Sequence, residues 1–305
     1  KLLAATPVMS YSHRGLGASP LRVVVVGAGI IGASIAYHLA KSGASVTVID
    51  GEGPATHASR GTFAWVNATW AKQPRHYHSL NQEGLGNWKG LQQALNLSIR
   101  WQGSLEWFED AKRQEKLVTQ ISEQARWGEN ARMVGAARLA ELEPGINFGG
   151  AQQAALSEND GALDPVAATG ALLNAAQKLG ATVIYPSLLT GIAVSNGRLT
   201  EAHTSSGSIK AERLVLATGA APDTARRFAG IDIPQRSTPG VIAITTPMPR
   251  IFKRIIVAPG IHMHQRVDGR IVLGEQGGAP QTEAHSMRLA QRPNAFPAPA
   301  IAAEH

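Results

Sequence analysis

Residues 21–50 read LRVVVVGAGIIGASIAYHLAKSGASVTVID, and the rest of the chain is organised around them. Val23 to Val26 form an unbroken run of valine, which suits a strand buried on both faces, as in a parallel sheet. Gly27-Ala28-Gly29-Ile30-Ile31-Gly32 follows, then a helical run to about Lys41, Gly43, and a second β-branched run, Val46 to Ile49, that stops at Asp50. Each glycine has a task in such a turn. Gly27 permits the tight exit from the strand, Gly29 lets a pyrophosphate approach the backbone, and Gly32 lets the helix close on the strand. The helix N-terminus then offers free N–H groups and a positive dipole end to phosphate. Asp50, at the tip of the second strand, is placed to accept both hydroxyls of an adenosine ribose. Strand, glycine turn, helix, strand and acid together predict an ADP-containing cofactor and leave FAD and NAD both open.

The bulk properties bound the rest. A chain of 305 residues, 44% hydrophobic and 17% charged, has the make-up of an ordinary globular protein of one or two domains. No run of about 18 apolar residues predicts a membrane span. The net charge of +7 comes from scattered rather than striped basic residues, so no nucleic-acid partner is expected. The absence of cysteine excludes disulfides, thiolate metal sites and a flavin tethered through sulfur, and it fits a reducing, cytoplasmic setting. Residues 1–20 lack the pattern of a fold element and are set aside as a tail or processed leader.

After Asp50 and Gly51 comes a loop rich in small and hydroxyl residues, Ser59-Arg60-Gly61-Thr62, running on to Trp65 and Asn67. A helix is expected from His76 to Ala94 with Leu80, Leu85, Trp88 and Leu91 on one face. A strand is expected from Arg100 to Trp107, an amphipathic helix from Phe108 to Trp127, and a short helix from Ala136 to Leu142, ended before Pro144. Asp164 caps a helix that starts at Pro165 and runs to Leu179. A strand at 181–185 leads into a β-meander with turns at Asn196-Gly197 and Ser206-Gly207. A buried strand, Arg213 to Ala217, runs into Thr218-Gly219, with a short helix near Asp223. Beyond Pro234 the pattern is all β: 240–245, 254–257, 261–266 and 271–274, with a tight turn at Asp268-Gly269.

This constellation resembles the D-amino-acid oxidase superfamily of FAD-dependent oxidoreductases, which includes glycine oxidase, sarcosine oxidase and the small subunit of D-amino-acid dehydrogenase. Four stretches carry the resemblance in order: the glycine turn, the loop from Ser59 to Asn67, Gly161–Pro165 with LVLATG at 214–219, and GIHMHQRVDGRIVLGE at 260–275. The resemblance implies a mixed α/β protein, a Rossmann-like FAD-binding domain (21–99 and 151–230) with an inserted, mainly antiparallel β substrate domain (100–150 and 231–285). It also implies that residues 286–305 begin a C-terminal flavin-contacting segment that is incomplete here. FAD is then favoured over NAD. The cofactor would be held by Gly27, Ala28, Gly29, Ile30, Ile31, Gly32, Asp50 and Gly51, by Ser59, Arg60, Gly61 and Thr62, and by Ala217, Thr218, Gly219 and Gly274.

The implied activity is oxidation of a C–N bond in a D-amino acid, glycine, sarcosine or similar amine, by hydride transfer to flavin N5, with O2 or a quinone as acceptor and a homo- or hetero-oligomeric state open. The alternatives are a 2-hydroxy-acid-oxidising flavoenzyme and a non-catalytic flavoprotein subunit. Alternation along the strand at 261–266 puts His262, His264 and Arg266 on one face. His262 stands where glycine oxidase-like members carry a substrate-facing Tyr, so these three are the substrate-side candidates; a solvated sheet surface is the competing placement. Arg75 and His76 read as ordinary helix-start residues. No third ligand stands at metal-site spacing from the paired histidines, so no metal is expected.

Overall fold

The computed structural model describes residues 19–69, 71–221, 223–234 and 242–275, with only the backbone of Glu275. The opening motif forms as its pattern dictates: β1 (Arg22–Val26), α1 (Ile30–Lys41) and β2 (Ser45–Ile49). β1 pairs in parallel with β2 on one side and with a much later strand on the other, and β2 pairs in parallel with a third. Along β1, Val23 and Val25 face α1 while Val24 and Val26 face the opposite layer, and all four are buried. Burying each valine contributes on the order of 2 kcal/mol. Ala33, Ala36 and Ala40 give α1 a small-residue face that lies close against this sheet.

The middle of the chain supplies β3 (Trp65–Val66), α2 (Arg75–Leu95), β4 (Ile99–Trp101), β5 (Ser104–Glu106), α3 (Ala111–Arg126), β6 (Ala131–Gly135), α4 (Ala136–Leu142), β7 (Gln153–Ser157) and β8 (Gly161–Leu163). Then come α5 (Pro165–Lys178), β9 (Thr182–Ile184), β10 (Leu189–Ser195), β11 (Arg198–Thr204), β12 (Gly207–Lys210), β13 (Arg213–Leu216) and α6 (Asp223–Ala229). β14 (Ile242–Ile244), β15 (Ile255–Ala258), β16 (Ile261–Gln265) and β17 (Ile271–Glu275) follow. The nucleotide-type sheet has the order β13-β1-β2-β9 and is covered on one face by α1 and α5 and on the other by the β10-β11-β12 meander. A larger sheet runs β14-β17-β16-β15-β5-β7-β6, antiparallel except where β15 meets β5. A small antiparallel sheet, β3-β8-β4, is packed on both: Leu163 and Ala168 share a cluster, and Ala162 packs with Ile255 and Val257. A Rossmann-like parallel core joined to antiparallel sheets is thus the architecture of the chain.

Several local expectations need correction. The single strand expected over Arg100 to Trp107 is two strands in different sheets. Gly103 breaks it, with φ +76° and its missing Cβ only 2.3 Å from the Ser157 carbonyl oxygen. β6 and β7 had no clear strand signal, because β6 holds a single β-branched residue, Val134, and β7 holds none. β7 carries the large sheet past residue 150. The helix expected from Phe108 starts at Ala111, where the Asp110 carboxylate accepts from the Arg113 N–H at 2.8 Å. Leu80, expected inward, is 63% exposed. Arg266 lies just beyond the end of β16. Positions 240–241 of an expected strand, most of the tail, and residues 276–305 lie outside the described residues. Among those described, no helix is long and apolar enough to cross a membrane.

Candidate functional site

The glycine turn is built by steric necessity. Gly27 has φ +108°, and a Cβ there would lie 2.3 Å from the Ala217 carbonyl oxygen; one on Gly32 would lie 1.9 Å from that of Gly27. The Gly27 N–H donates to the Ile49 carbonyl and the Ala217 N–H to that of Val26, each at 2.8 Å. The turn is therefore clamped at the carboxyl ends of β1, β2 and β13, where open α/β sheets bind ligands. The Asp50 carboxylate accepts from the N–H groups of Ala28 (2.8 Å), Glu52 (2.9 Å) and Gly53 (2.8 Å). A carboxylate offers about four acceptor sites, so these three bonds leave roughly one for a ribose hydroxyl rather than the two expected.

The Ser59 hydroxyl accepts from the Ile30 N–H at 2.9 Å, which folds the loop over the N-terminus of α1. Gly29 caps that helix without a side chain, and the first turn carries no acid. A Cβ on Gly29 would meet only Ser59 Oγ, at 3.1 Å. A helix start with no acid in its first turn, an uncluttered glycine and a nearby hydroxyl fit a pyrophosphate. FAD is thus compatible with the residues present.

Ala28, Ile30, Ile31 and Gly51 come with the turn, and Thr218 and Gly219 follow directly from β13 beside it. Arg60 and Gly61 are exposed, with their N–H groups on the His57 carbonyl. Thr62 lines a cleft of about 330 Å³ that begins at Ile30 and Ser59 and passes Trp65 and Asn67 to reach α2 and the start of α5.

The candidates on and after β16 separate. His262 and His264 share a face, and both rings meet Phe63 edge-on, with centroids 4.3 and 4.8 Å away. Neither lies on a solvated sheet surface. His264 is buried and donates from Nε2 to the Phe63 carbonyl at 2.9 Å. Burial pushes its pKa down to about 4, against the opposing pull of that bond, so the ring is neutral and holds the loop to the strand. His262 stands opposite Gly274 in the β16–β17 pairing, and a Cβ on Gly274 would lie 2.1 Å from its Nε2. Gly274 thus makes room for an imidazole. Arg266 pairs with Asp164 at 3.4 Å, while the other Asp164 oxygen accepts from Val166 and Ala167, both at 2.9 Å, at the start of α5. Its charge is engaged in tying the end of β16 to that helix. Arg75 and His76 are exposed in the first turn of α2.

Sequence reading missed Asp160. This carboxylate is fully buried and accepts from Trp65 Nε1 (2.9 Å), Ser104 Oγ (2.7 Å), Ser157 Oγ (3.0 Å) and Thr69 Oγ1 (3.2 Å). Burial raises its pKa to about 6, with the hydrogen bonds pulling the other way and Glu129 adding to the rise. Asp160 joins β3, β5, β7 and the following loop, and it fixes the Trp65 indole in the cleft wall. That loop is also held from α3: Gln120 and Gln124 donate to the Thr69 carbonyl at 2.9 and 2.7 Å. The only local signal was an acid before Gly161, which reads as a turn. Among the described residues no cluster of His, Cys, Asp or Glu has metal-site geometry.

A family model describing FAD-dependent oxidoreductases, DAO, matches residues 22–298. Among characterised relatives, 4-methylaminobutanoate oxidase (formaldehyde-forming) of Paenarthrobacter nicotinovorans is 28% identical over 76% of this chain and 28% of its own length. Mitochondrial dimethylglycine dehydrogenase of Mus musculus is 24% identical over 75% of this chain and 26% of its own. The chain therefore spans about a quarter of the length of these relatives. Among solved structures, L-proline dehydrogenase from P. horikoshii superposes with a TM-score of 0.75 at 22% identity, covering 90% of this chain and 76% of that one. Glycine oxidase from Bacillus cereus superposes with a TM-score of 0.74 at 20% identity, covering 88% and 75%. The glycine turn, the parallel sheet that clamps it and a match over most of the sequence have one reading: the chain belongs to the DAO family of FAD-dependent oxidoreductases.

Proposed function

We propose that this chain binds FAD and oxidises the C–N bond of a small amine or amino acid. The observation that carries the reading is that the acid-free N-terminus of α1 opens into the same cleft that Trp65 and α2 wall. FAD, when bound, supplies the acceptor for a hydride from the substrate carbon. The residues of this chain then bind, orient and exclude water. The amides at the start of α1 take the pyrophosphate, Asp50 takes a ribose hydroxyl, and the loop from Ser59 to Thr62 covers the chain of the cofactor towards its ring. Trp65, latched by Asp160, and Trp88 give the cleft apolar walls. His262, beside Phe63, is the substrate-side residue of the large sheet, and His264 holds Phe63 in place.

The parallel sheet with its meander is then the cofactor-binding part and the large sheet the substrate-facing part. Two relatives, by name, act on 4-methylaminobutanoate and dimethylglycine, which supports an N-alkyl amino acid as substrate. The electron acceptor in this reading is O2 or a quinone.

The test is direct. Purified protein is incubated with FAD, freed of excess by gel filtration, and examined for a bound-flavin spectrum. Anaerobic addition of glycine, sarcosine, dimethylglycine, 4-methylaminobutanoate, proline and D-amino acids should then bleach the spectrum with at least one of them. Failure to retain flavin removes the proposal. Bleaching by 2-hydroxy acids alone replaces C–N by C–O oxidation. Reoxidation by air against a quinone dye identifies the acceptor.

A further inference from the structure

We infer that Glu129 is a positioning residue that fixes the separation of the two cleft walls and so limits the size of the substrate group between them. This deepens the amine-oxidising reading and rests on it for the substrate series, though not for the coupling of the walls. One wall is the stretch that carries Trp65; the other is the face of α2 with Leu80, Asn81 and Gly84. The two halves of α2 are held differently. Trp88, Leu91 and Leu95 pack against an apolar cluster that includes Leu97, Ile99 and Leu163. Across 75–84, by contrast, only His78 is buried, so the part of α2 facing Trp65 depends on what His78 and its neighbours bind.

His78 and Glu129 are both buried. The His78 ring meets the Ala68 carbonyl through Nδ1 at 2.7 Å, and because a carbonyl only accepts, Nδ1 carries a proton. Its Nε2 lies 3.7 Å from Glu129 Oε2, beyond hydrogen-bond reach, and makes no hydrogen bond. One turn along α2, Gln82 donates to that same oxygen at 3.3 Å. The other Glu129 oxygen accepts from Asn159 Nδ2 at 2.9 Å and from the Asn130 N–H at 3.2 Å. Asn159 directly precedes Asp160, which takes the Trp65 indole N–H at 2.9 Å. These connections close a circuit: Trp65 to Asp160, Asn159 to Glu129, Glu129 to α2, and His78 back to Ala68 in the Trp65 loop. Both walls thus hang on one carboxylate in the connection between α3 and β6. Stability alone does not call for this arrangement, since well-packed apolar residues commonly replace a buried charged pair without loss. Apolar packing is non-directional, however, whereas hydrogen bonds fix distances and angles. What the circuit supplies beyond stability is a defined gap.

Fluorine NMR reads the two walls separately. The chain has no cysteine, so Leu80→Cys, at an exposed position of the α2 wall, takes a single trifluoromethyl label, and 5-fluorotryptophan reports Trp65, assigned with Trp65→Phe. In this background Glu129→Ala should shift or broaden both lines. Glu129→Gln should leave both in place, because one carbonyl oxygen still takes Asn159 and Gln82 turns its own amide to meet the new one. Asn159→Ala, at a half-buried position, cuts the same circuit and carries the same expectation as Glu129→Ala if that variant does not fold. Movement of one line only, or of neither, overturns the inference, as does Glu129→Gln behaving like Glu129→Ala. The second readout is the second-order rate constant of anaerobic flavin bleaching by sarcosine and by N-butylglycine. Wild type should favour sarcosine, and Glu129→Ala should lower that preference by at least about tenfold, with Glu129→Gln restoring it. A lowered melting temperature with an unchanged preference assigns Glu129 to stability alone and overturns the inference. If no N-alkylglycine bleaches any of these proteins, the amine reading fails, and the fluorine lines decide the coupling of the walls by themselves.

Discussion

Replacing Asp160 by Asn should change how stability depends on pH, with a sign unusual for a carboxylate. Unfolded, the group titrates near its ordinary value of 3.8; folded, burial moves it to about 6. Between these values the native state holds a proton that the unfolded state has lost. Its contribution is therefore complete below the unfolded value and is lost as pH rises through the folded one. At about 1.4 kcal/mol per decade, the loss is about 3 kcal/mol.

His264 works in the opposite direction over nearly the same window. Its folded value of about 4 lies below the ordinary 6.5, so the unfolded state binds the extra proton and stability rises with pH, again by about 3 kcal/mol. In wild type these two slopes largely cancel, and each has to be exposed by difference. Urea denaturation followed by circular dichroism at several pH values supplies the measurement for wild type, Asp160→Asn and His264→Gln. The wild-type stability minus that of Asp160→Asn should fall by about 3 kcal/mol from about pH 4 to about pH 7, and minus that of His264→Gln should rise by a similar amount. Asn has fewer acceptor sites for the four donors around Asp160, which adds a constant offset and leaves the slope intact. Two flat differences would refute the assignment of both titrations.

The glycines of the turn should separate by readout. Gly32→Ala forces a Cβ against backbone 1.9 Å away, so a large loss of melting temperature is expected along with loss of flavin. Gly29→Val puts its first side-chain carbon against only the Ser59 hydroxyl, so flavin retention should fail while melting changes little; comparable melting losses in both would contradict the geometry. Gly274→Ala should displace the His262 ring from Phe63 and raise the apparent substrate constant as His262→Ala does, and an unchanged constant in both would remove His262 from the substrate side.

Much of the fold was legible because its local signals agree with its packing. The valine run, the glycine spacing and the Asp164-Pro165 helix start each have a nearby physical cause, and each forms within a residue or two of its expected place. β7 was hidden because AQQAALS carries alanine where strands more often carry β-branched side chains, and its strand form comes from pairing with β5 on one side and β6 on the other. Arg100 to Trp107 looked continuous because a glycine inside a strand does not announce which carbonyl will press against it.

The site divides in the same way. The phosphate turn is a local motif and could be read. Asp160 could not, because its donors Trp65, Thr69, Ser104 and Ser157 are gathered only by the meeting of three sheet segments and a loop. His264 had the right alternation for a substrate contact, but alternation does not reveal that Phe63, about 200 residues earlier in the chain, closes over that face.

The pairing of β1 with β13 has a consequence for how the molecule is made. Arg22 bonds to Glu212, 190 positions along the chain, and the Gly27 turn closes against Ala217 just beyond. On a ribosome adding about 5–20 residues per second, β1 waits roughly 10–40 s for that neighbour. During this interval the nascent valine strand has β2 on one side and a bare apolar edge on the other, the kind of edge that recruits unintended strands. The glycine turn is thus completed only once residue 217 has been made, long after its own strand and helix. The time for which its edge stays open is set by the length of everything inserted between its two borders.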